Sequence, residues 1–510
     1  MTADQASYSK IPPSRRFIAG MVLALSNFMV VLDMTIANVS IPHIAGNLGI
    51  SASQGTWVIT SYAVAEAICV PLTGWLAQRF GAVRVFLMSM IGFGTFSLLC
   101  GLSPTLNMLV LCRIGQGICG GPLMPMSQTL LLRLYPPEQR GKAMGIWAMT
   151  TLLGPALGPI LGGTISDNWS WHWIFFINVP IAVMITLAAI ALLTPLEMER
   201  QKTPIDVIGL VLLVFWIGCL QIMLDIGREH DWFSDPLVLA LAVCAFLGFL
   251  VFLIWELTDR HPVVNLRVFR NRGFSMGLMA LSICFGTYFA SIVVIPQWLQ
   301  MSMGYTATQA GLVTAFTAMS ALVTSQIAAR LIGKVDARIM VSCAMAWLGL
   351  MALWRTTHWT ADADFWTLAL PQMVQGFAMP FFIVPLTTIT LSAVPPNDVP
   401  AAAGLQNFLR TMASAIAASI VLTLWDDAQR VSRSDIVSSL RPDETLAQLS
   451  ASGMPTLQSW QTISSLADQQ ATAIAVNHVF LLSTGALFVA AALIWLSPKP
   501  KGPVQAGEGH

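Results

Sequence analysis

Four ionisable side chains, Asp33, Glu66, Arg113 and Arg410, stand inside stretches of sequence that are otherwise almost wholly apolar. Charged groups are costly at bilayer depth and are usually functional there. A carboxylate in such a place can take up and release a proton, or it can counter-charge a cation. An arginine keeps its charge and orients a carboxylate or bridges helices. Each residue also admits a plainer reading. Asp33 can be a structural ion-pair partner, and Arg113 a lock between helices. Glu66 can face a wet cavity without a role, and Arg410 can snorkel to the interface.

Other chemistries find little support. No G-x-x-x-x-G-K-[ST] phosphate loop is present; Gly141-Lys142-Ala143 and Gly333-Lys334-Val335 are the nearest fragments. A G-x-G-x-x-G match runs from Gly115 to Gly120, but it lies in an apolar helix with no strand before it and reads as close packing. Neither H-E-x-x-H nor G-x-S-x-G occurs, so an intramembrane enzyme is disfavoured. The net charge of +1 argues against nucleic-acid binding. Cys69, Cys100, Cys112, Cys119, Cys219, Cys244, Cys284 and Cys343 all fall in apolar runs, form no metal-type cluster and read as packing residues. No cofactor or metal is expected. With no site for ATP, an ion gradient is the expected energy source.

The elements that must position these residues are apolar runs of about 20 residues, the length that crosses a bilayer core as a helix. They recur over 17–39, 57–77, 85–102, 107–131, 143–164, 173–194, 207–225, 237–256, 274–298, 311–332, 339–354, 364–391, 404–425 and 478–497. The chain is 55% hydrophobic and 10% charged, where soluble domains carry about 25% charged residues. The first run is too long for a signal peptide and reads as a retained helix. An even number of spans places both termini on one side. With those termini cytoplasmic, 19 of the 26 Lys and Arg fall in inner segments. Five (Arg228, Arg355, Arg430, Arg433 and Arg441) fall in outer ones, and two lie within spans. That asymmetry is the positive-inside pattern. It puts Asp33 and Arg113 both in the outer half of the membrane, where they can meet. Glu66 lies near the middle, with Tyr62 and Thr73 in a polar stripe on its helix.

Shifting the chain by 259 positions lays Gln116-Gly117 on Gln375-Gly376, Pro136-Pro137 on Pro395-Pro396 and Gly145 on Gly404. This predicts an all-α membrane protein of two six-helix bundles, residues 1–200 and 261–510. Two inserted transmembrane helices fill 201–260. Paired bundles with a midplane site between them suit alternating access. Ser26, Asn27, Tyr62, Glu66, Asn407 and Arg410 are the candidates to line that cavity, and Asp33, Arg113 and Glu66 those to carry proton coupling.

These residues belong to longer motifs. Leu32-Asp33-Met34-Thr35-Ile36-Ala37-Asn38-Val39, Arg113-Ile114-Gly115-Gln116-Gly117 and Trp171-His172-Trp173-Ile174-Phe175-Phe176-Ile177-Asn178-Val179-Pro180 are three of them. Gly74-Trp75-Leu76-Ala77-Gln78-Arg79-Phe80-Gly81 is a fourth, and Gly154-Pro155-Ala156-Leu157-Gly158-Pro159-Ile160-Leu161-Gly162-Gly163 a fifth. In them the chain resembles, nearly end to end, the fourteen-span drug–proton antiporters of the major facilitator superfamily. The resemblance implies proton coupling at Asp33 and a gating loop of Gly74, Gln78, Arg79, Gly81 and Arg84. Gln78 departs from it, standing where most members have aspartate. It also implies an antiporter motif of Gly154, Pro155, Gly158, Pro159, Gly162 and Gly163.

The fifth motif also has physics of its own. Gly154, Gly158 and Gly162 share one helix face, which permits close helix approach in lipid, and the prolines favour bending. Such a contact is expected to seal or hinge the two halves.

The function implied by the resemblance is proton-driven export of hydrophobic drugs from a bacterial inner membrane, contributing to antibiotic resistance. Its expected partners are a periplasmic adaptor and a TolC-like outer-membrane channel. Uptake symport and a non-transporting receptor or scaffold are the rival readings. The polar segment 426–477 lies outside on the same orientation. Leu446, Leu449, Met454, Leu457, Trp460, Ile463 and Leu466 give part of it the spacing of an amphipathic helix or helical hairpin, interrupted at Gly453 and Pro455. It is the expected adaptor contact, or else a cover for the outer mouth.

Overall fold

The computed structural model describes residues 11–198, 200, 206–228, 230–259, 262–331, 334–395, 398–439 and 455–497. The first half contains α1 (Pro13–Leu48), α2 (Ala52–Cys69), α3 (Thr73–Phe80), α4 (Ala82–Gly101), α5 (Leu106–Gly120), α6 (Leu123–Leu134), α7 (Pro137–Asn168), α8 (Trp173–Phe176) and α9 (Asn178–Leu193). The inserted pair is α10 (Val207–Ile226) and α11 (Pro236–Thr258). The second half contains α12 (Arg272–Met301), α13 (Ala307–Leu331), α14 (Ala337–His358), α15 (Phe365–Gly376), α16 (Met379–Ser392), α17 (Val399–Ser439) and α18 (Thr456–Leu493).

Among the described residues, eleven helices are long and apolar enough to cross a membrane, or up to 13 if each of two bent pairs counts as one span. The expected fourteen are reached only if α5 and α6, separated by Gly121-Pro122, are counted as one more interrupted crossing. The breaks have local causes. Pro71 offers no backbone donor, and α2 and α3 bend by 58° around it. The Thr73 hydroxyl and backbone N–H both donate to the Val70 carbonyl, at 2.5 and 3.2 Å, and so close the break. This bend takes Thr73 off the helix that carries Tyr62 and Glu66, so the single polar stripe is not formed. Ser51 and Gln54 close a reciprocal capping box at the start of α2, an arrangement worth about 1 kcal/mol.

The halves meet where α7 packs along α13 and α16, and where α3 and α6 reach α17. The inserted pair lies against both halves. The Thr60 hydroxyl of α2 donates to Asp225 of α10 at 2.6 Å, and Ser419 of α17 donates to the Leu224 carbonyl at 2.9 Å.

The last two long helices depart from the sequence expectation. α17 runs 41 residues and α18 runs 38. At about 1.5 Å per residue each far exceeds the ~30 Å core. Both therefore continue as helices out of the membrane, past the expected span limits at 425 and 478 and into the segment where an amphipathic helix or helical hairpin was expected. Arg433 grips Asp468 at 2.5 Å between them, and Pro455 caps α18. Val431, Val437, Leu457, Trp460 and Leu466 are exposed on this projection, while Ile463 is buried between its helices. Leu446, Leu449, Gly453 and Met454 lie outside the described residues.

Candidate functional site

Asp33 on α1 and Arg113 on α5 are both fully buried and paired at 2.6 Å. Three donors converge on the carboxylate. Arg113 Nη1 donates to Oδ2, while Gln116 Nε2 and Asn178 Nδ2 donate to Oδ1 at 3.0 and 2.7 Å. Arg113 also donates to Gln116 Oε1 at 2.9 Å and, through Nε, to the Val58 carbonyl at 2.9 Å. Tyr62 lies 4.3 Å beneath the guanidinium and Phe175 lies 5.5 Å from it. Asn178 is tied in turn to Ser97, whose hydroxyl donates to the Phe175 carbonyl. A buried pair is tolerable only when its remaining hydrogen-bonding capacity is met, and removing one partner typically costs about 3–5 kcal/mol. Here Asp33 is saturated with donors. Neutralising it by a proton would loosen three contacts to two different helices, α5 and α9, at once.

A second polar centre lies one turn further along α2. Glu66 is buried, and its Oε2 has no hydrogen-bond partner among the described residues. Its principal opposite charge is Arg410 on α17, in the other half. Arg410 is 7% exposed and does not snorkel. Its guanidinium lies 5.1 Å from the Phe285 ring and 5.9 Å from Trp147, with Nη2 3.0 Å from Met124 Sδ. Asn407 donates to Gln128 Oε1 at 2.6 Å across the halves. Asn407 Oδ1, Gln128 Nε2 and the Tyr62 hydroxyl also lack partners. Orphaned buried polar atoms cost about 1–3 kcal/mol each, so such a concentration marks a place built to meet water or a ligand. Asn27 Nδ2 donates to Thr150 and Thr151 and so fastens α1 to α7, while its Oδ1 is another buried oxygen without a partner among the described residues; Ser26 donates to the Leu23 carbonyl of its own helix. Tyr62 belongs as much to the Asp33–Arg113 cluster as to the cavity.

Residues 23–418 match the Major Facilitator Superfamily. The chain is 44% identical over 497 residues to multidrug export protein EmrB of Escherichia coli K12, covering 96% of this chain and 97% of that one. It is 40% identical over 492 residues to fatty acid resistance protein FarB of Neisseria gonorrhoeae, covering 96% of each. Among solved structures, the proton:xylose symporter XylE superposes with a TM-score of 0.62 at 14% identity, over 96% of this chain and 97% of that one, which speaks to fold alone. The chain belongs to the major facilitator superfamily. Within it, the chain is of the EmrB/QacA type, a multi-pass membrane drug exporter rather than an enzyme.

The exporter's loop motif closes one end of the contact between halves. A Cβ on Gly74 would stand 2.7 Å from Ala401 Cα, so only glycine lets α3 touch α17 there. Gly81 has φ +95°, and Glu197, from beyond α9, accepts from the Val83 and Arg84 amides at 3.1 Å each, capping α4. Arg79 lies 5.4 Å over the Trp75 ring, and Gln78 is half-buried beside it. The antiporter motif does something other than expected. Cβ atoms on Gly154, Gly158 and Gly162 would meet Val31, Thr35 and Ile36 of α1 at 2.4, 2.2 and 2.7 Å. The glycine face is thus taken up inside the first half, against the helix that carries Asp33, and does not itself seal the two halves. α7 is bent by 44° through this region. Pro155 is half-buried and Gly163 buried, and the side chain of Pro159 lies outside the described residues.

Arg355 corrects the charge map. It is 1% exposed inside the second half, not in an outer loop. It donates to Gln372 Oε1 at 3.2 Å and to Gln375 Oε1, between the rings of Trp359 and Phe480. Under the 259-residue shift Gln372 and Gln375 stand where Arg113 and Gln116 stand in the first half. The second half therefore keeps the glutamine and supplies its cation from α14, with no carboxylate partner among the described residues. Sequence reasoning also missed Gln116, Asn178, Gln128 and Glu197 as participants. The first two lay within quoted motifs, and the repeat already pointed at Gln116.

Proposed function

We propose that this exporter is a proton–drug antiporter in which Asp33 carries the coupling proton and Glu66 faces the drug. The observation that carries the reading is the fully buried Asp33 carboxylate, gathered by donors from α5 and α9, in a chain with no phosphate loop. α2 supplies the link. Tyr62 lies under Arg113, and Glu66 follows one turn later on the same helix. Protonation of Asp33 frees Arg113, Gln116 and Asn178, shifts Tyr62 and alters the Glu66 side of the cavity. Drug arriving at Glu66 acts along the same route in reverse and favours proton release, since coupling between two sites is reciprocal. Glu66, Asn407, Arg410 and Gln128 then form the polar part of the substrate cavity, with Trp147 and Phe285 as its aromatic part.

A carboxylate in a mostly apolar cavity attracts a cation more strongly than it would in water. Glu66→Gln is expected to raise the KM for a cationic dye about tenfold, equivalent to about 1.4 kcal/mol, and to leave that for a neutral substrate nearly unchanged. Efflux measured in inverted vesicles with one dye of each kind checks this. Equal loss for both would assign Glu66 to coupling or folding instead.

From the charge asymmetry we infer that both termini are cytoplasmic, and from the family that the membrane is a bacterial inner membrane; on that orientation the α17–α18 projection is periplasmic. Exposed apolar side chains on two helices pinned together have little use in a lone pump, and a docked partner would bury some of them. We assign this projection to an EmrA-like periplasmic adaptor that leads to a TolC-like outer-membrane channel. Changing Leu457, Trp460 and Leu466 together to Ser should abolish adaptor co-purification and lower drug resistance in cells, with vesicle efflux retained. Unchanged co-purification would refute the assignment.

A further inference from the structure

The loop motif around α3 carries Arg79 and Arg84 but no Asp or Glu between positions 74 and 84. The carboxylate that serves it comes from far along the chain. Gly81, at the start of α4, has no side chain with which to cap that helix, where Ser, Thr, Asp or Asn would ordinarily stand. Glu197, 114 positions from Val83, fills the place. Its Oε1 accepts from the Val83 and Met198 amides at 3.1 and 3.0 Å, and its Oε2 from the Arg84 amide at 3.1 Å. A negative charge there also meets the positive end of the helix dipole. Gly81 leaves room for this approach, since a Cβ on it would stand 2.5 Å from Glu197 Oε1.

A cap alone would be a local matter. Glu197, however, follows α9 by one short turn, Thr194–Leu196, and the other end of α9 stands at the Asp33 site. Asn178, the first residue of α9, donates to Asp33 Oδ1 at 2.7 Å and to Ser97 Oγ of α4 at 3.1 Å. Ser97 donates in turn to the Phe175 carbonyl at 2.9 Å. Between these ends the two helices have no slack. Ala182, Ile185, Ala189, Leu193 and Leu196 recur at helical spacing and are all buried, and α9 packs along α4. A Cβ on Gly94 of α4 would stand 2.8 Å from Ala182 Cβ. The pair is thus lashed at its outer end by Asn178 and Ser97 and at its inner end by Glu197. At about 1.5 Å per residue, the 16 residues of α9 separate these lashings by about 24 Å. Close-packed interiors transmit a displacement instead of absorbing it, so such a pair moves as one body.

We propose that Glu197 is a positioning residue of the exporter, tying the loop motif, and with it the Gly74–Ala401 contact between the halves, to the Asp33 site through the clamped α4–α9 pair. Protonation of Asp33 releases Asn178, the pair shifts, and the cap on Val83 and Arg84 carries the shift to the other end of the bundle. The inference rests on the reading of Asp33 as the coupling site for its purpose but not for its test, because the link is measured without turnover.

Hydrogen–deuterium exchange of the full-length protein in phospholipid nanodiscs, read at the amides of residues 82–86, follows the cap. Asp33→Asn, the uncharged analogue of the protonated site, should speed exchange there about fivefold, which corresponds to the ~1 kcal/mol of one helix cap. Glu197→Gln keeps the side-chain length and one acceptor oxygen but removes the charge. Exchange should already be fast in that variant, and adding Asp33→Asn should change it no further. Glu197→Gln should also bind a cationic dye with the wild-type Kd while its turnover falls about tenfold, a split that unfolding does not produce. Ser97→Ala cuts the outer lashing and leaves the cap in place, which guards against misfolding of the first variant. Adding Asp33→Asn to it should leave residues 82–86 nearly unchanged. An equal response to Asp33→Asn with and without Glu197, or no response in the otherwise wild-type protein, would make Glu197 a local cap and overturn the proposal. Undiminished efflux in Asp33→Asn, with the exchange response intact, would strike the coupling reading and leave the link supported.

Discussion

Replacing Asp33 by Asn is expected to abolish proton-driven efflux while leaving a folded protein. Asn is nearly isosteric, and its single oxygen can still accept from Arg113. The charge it removes is the one that three donors from α5 and α9 surround. Arg113 then remains buried without its counter-ion. Its bonds to Gln116 and the Val58 carbonyl and its contact with Tyr62 offset part of that loss. A buried pair broken from one side loses about 3–5 kcal/mol, and those bonds should keep the cost near the lower end. The fold therefore survives, but the site can no longer exist in protonated and deprotonated forms. In inverted vesicles with an imposed pH gradient, efflux should fall by about 100-fold or more, the equivalent of about 2.7 kcal/mol. Undiminished efflux at equal expression would remove Asp33 from the mechanism.

Gly158→Val is expected to be nearly as damaging, through packing instead of charge. A Cβ at Gly158 would stand 2.2 Å from Thr35 Oγ1, 2.6 Å from Thr35 Cβ and 3.1 Å from the Thr35 backbone carbon. The side-chain oxygen has little freedom, because its one proton is shared among the Gly154 carbonyl and carbonyls of its own helix, all within 3.1 Å. The clash must be relieved by moving α1, and Asp33 is two residues from Thr35 on that helix. Overpacking of this kind costs about 1–3 kcal/mol or more, and here the displacement also pulls the carboxylate from its donors. Both the melting temperature and proton-driven efflux should drop sharply. Gly218→Ala, where nothing lies within 4 Å of the added Cβ, is the matched control and should change neither. Wild-type efflux in Gly158→Val would mean that α1 and α7 separate freely.

The sequence carried the fold because bilayer thickness converts directly into run length, and because charged loops report sidedness. It carried the Asp33–Arg113 meeting because depth along two helices can be counted. What it could not carry depends on rotation and on partners. Arg355 read as a loop residue because the apolar run before it stops early; only the packed rings of Trp359 and Phe480 show that it points inward. Gly154, Gly158 and Gly162 announced a close contact but not which helix makes it. Ser26 and Asn27 are polar residues at cavity depth, yet the Asn27 bonds turn it toward α7. The long helices α17 and α18 were hidden because, once outside lipid, their sequence loses the apolar run that marks a span while keeping helical continuity.

Proton release on drug binding tests the central claim most directly. The purified exporter is placed in weakly buffered detergent solution, a saturating cationic drug is added, and the pH is followed. The account predicts net proton release on drug binding in the wild type, by the reciprocity of linked binding. It predicts none in Asp33→Asn with drug binding retained. Release from Asp33→Asn equal to that of the wild type would show that the coupling proton resides elsewhere.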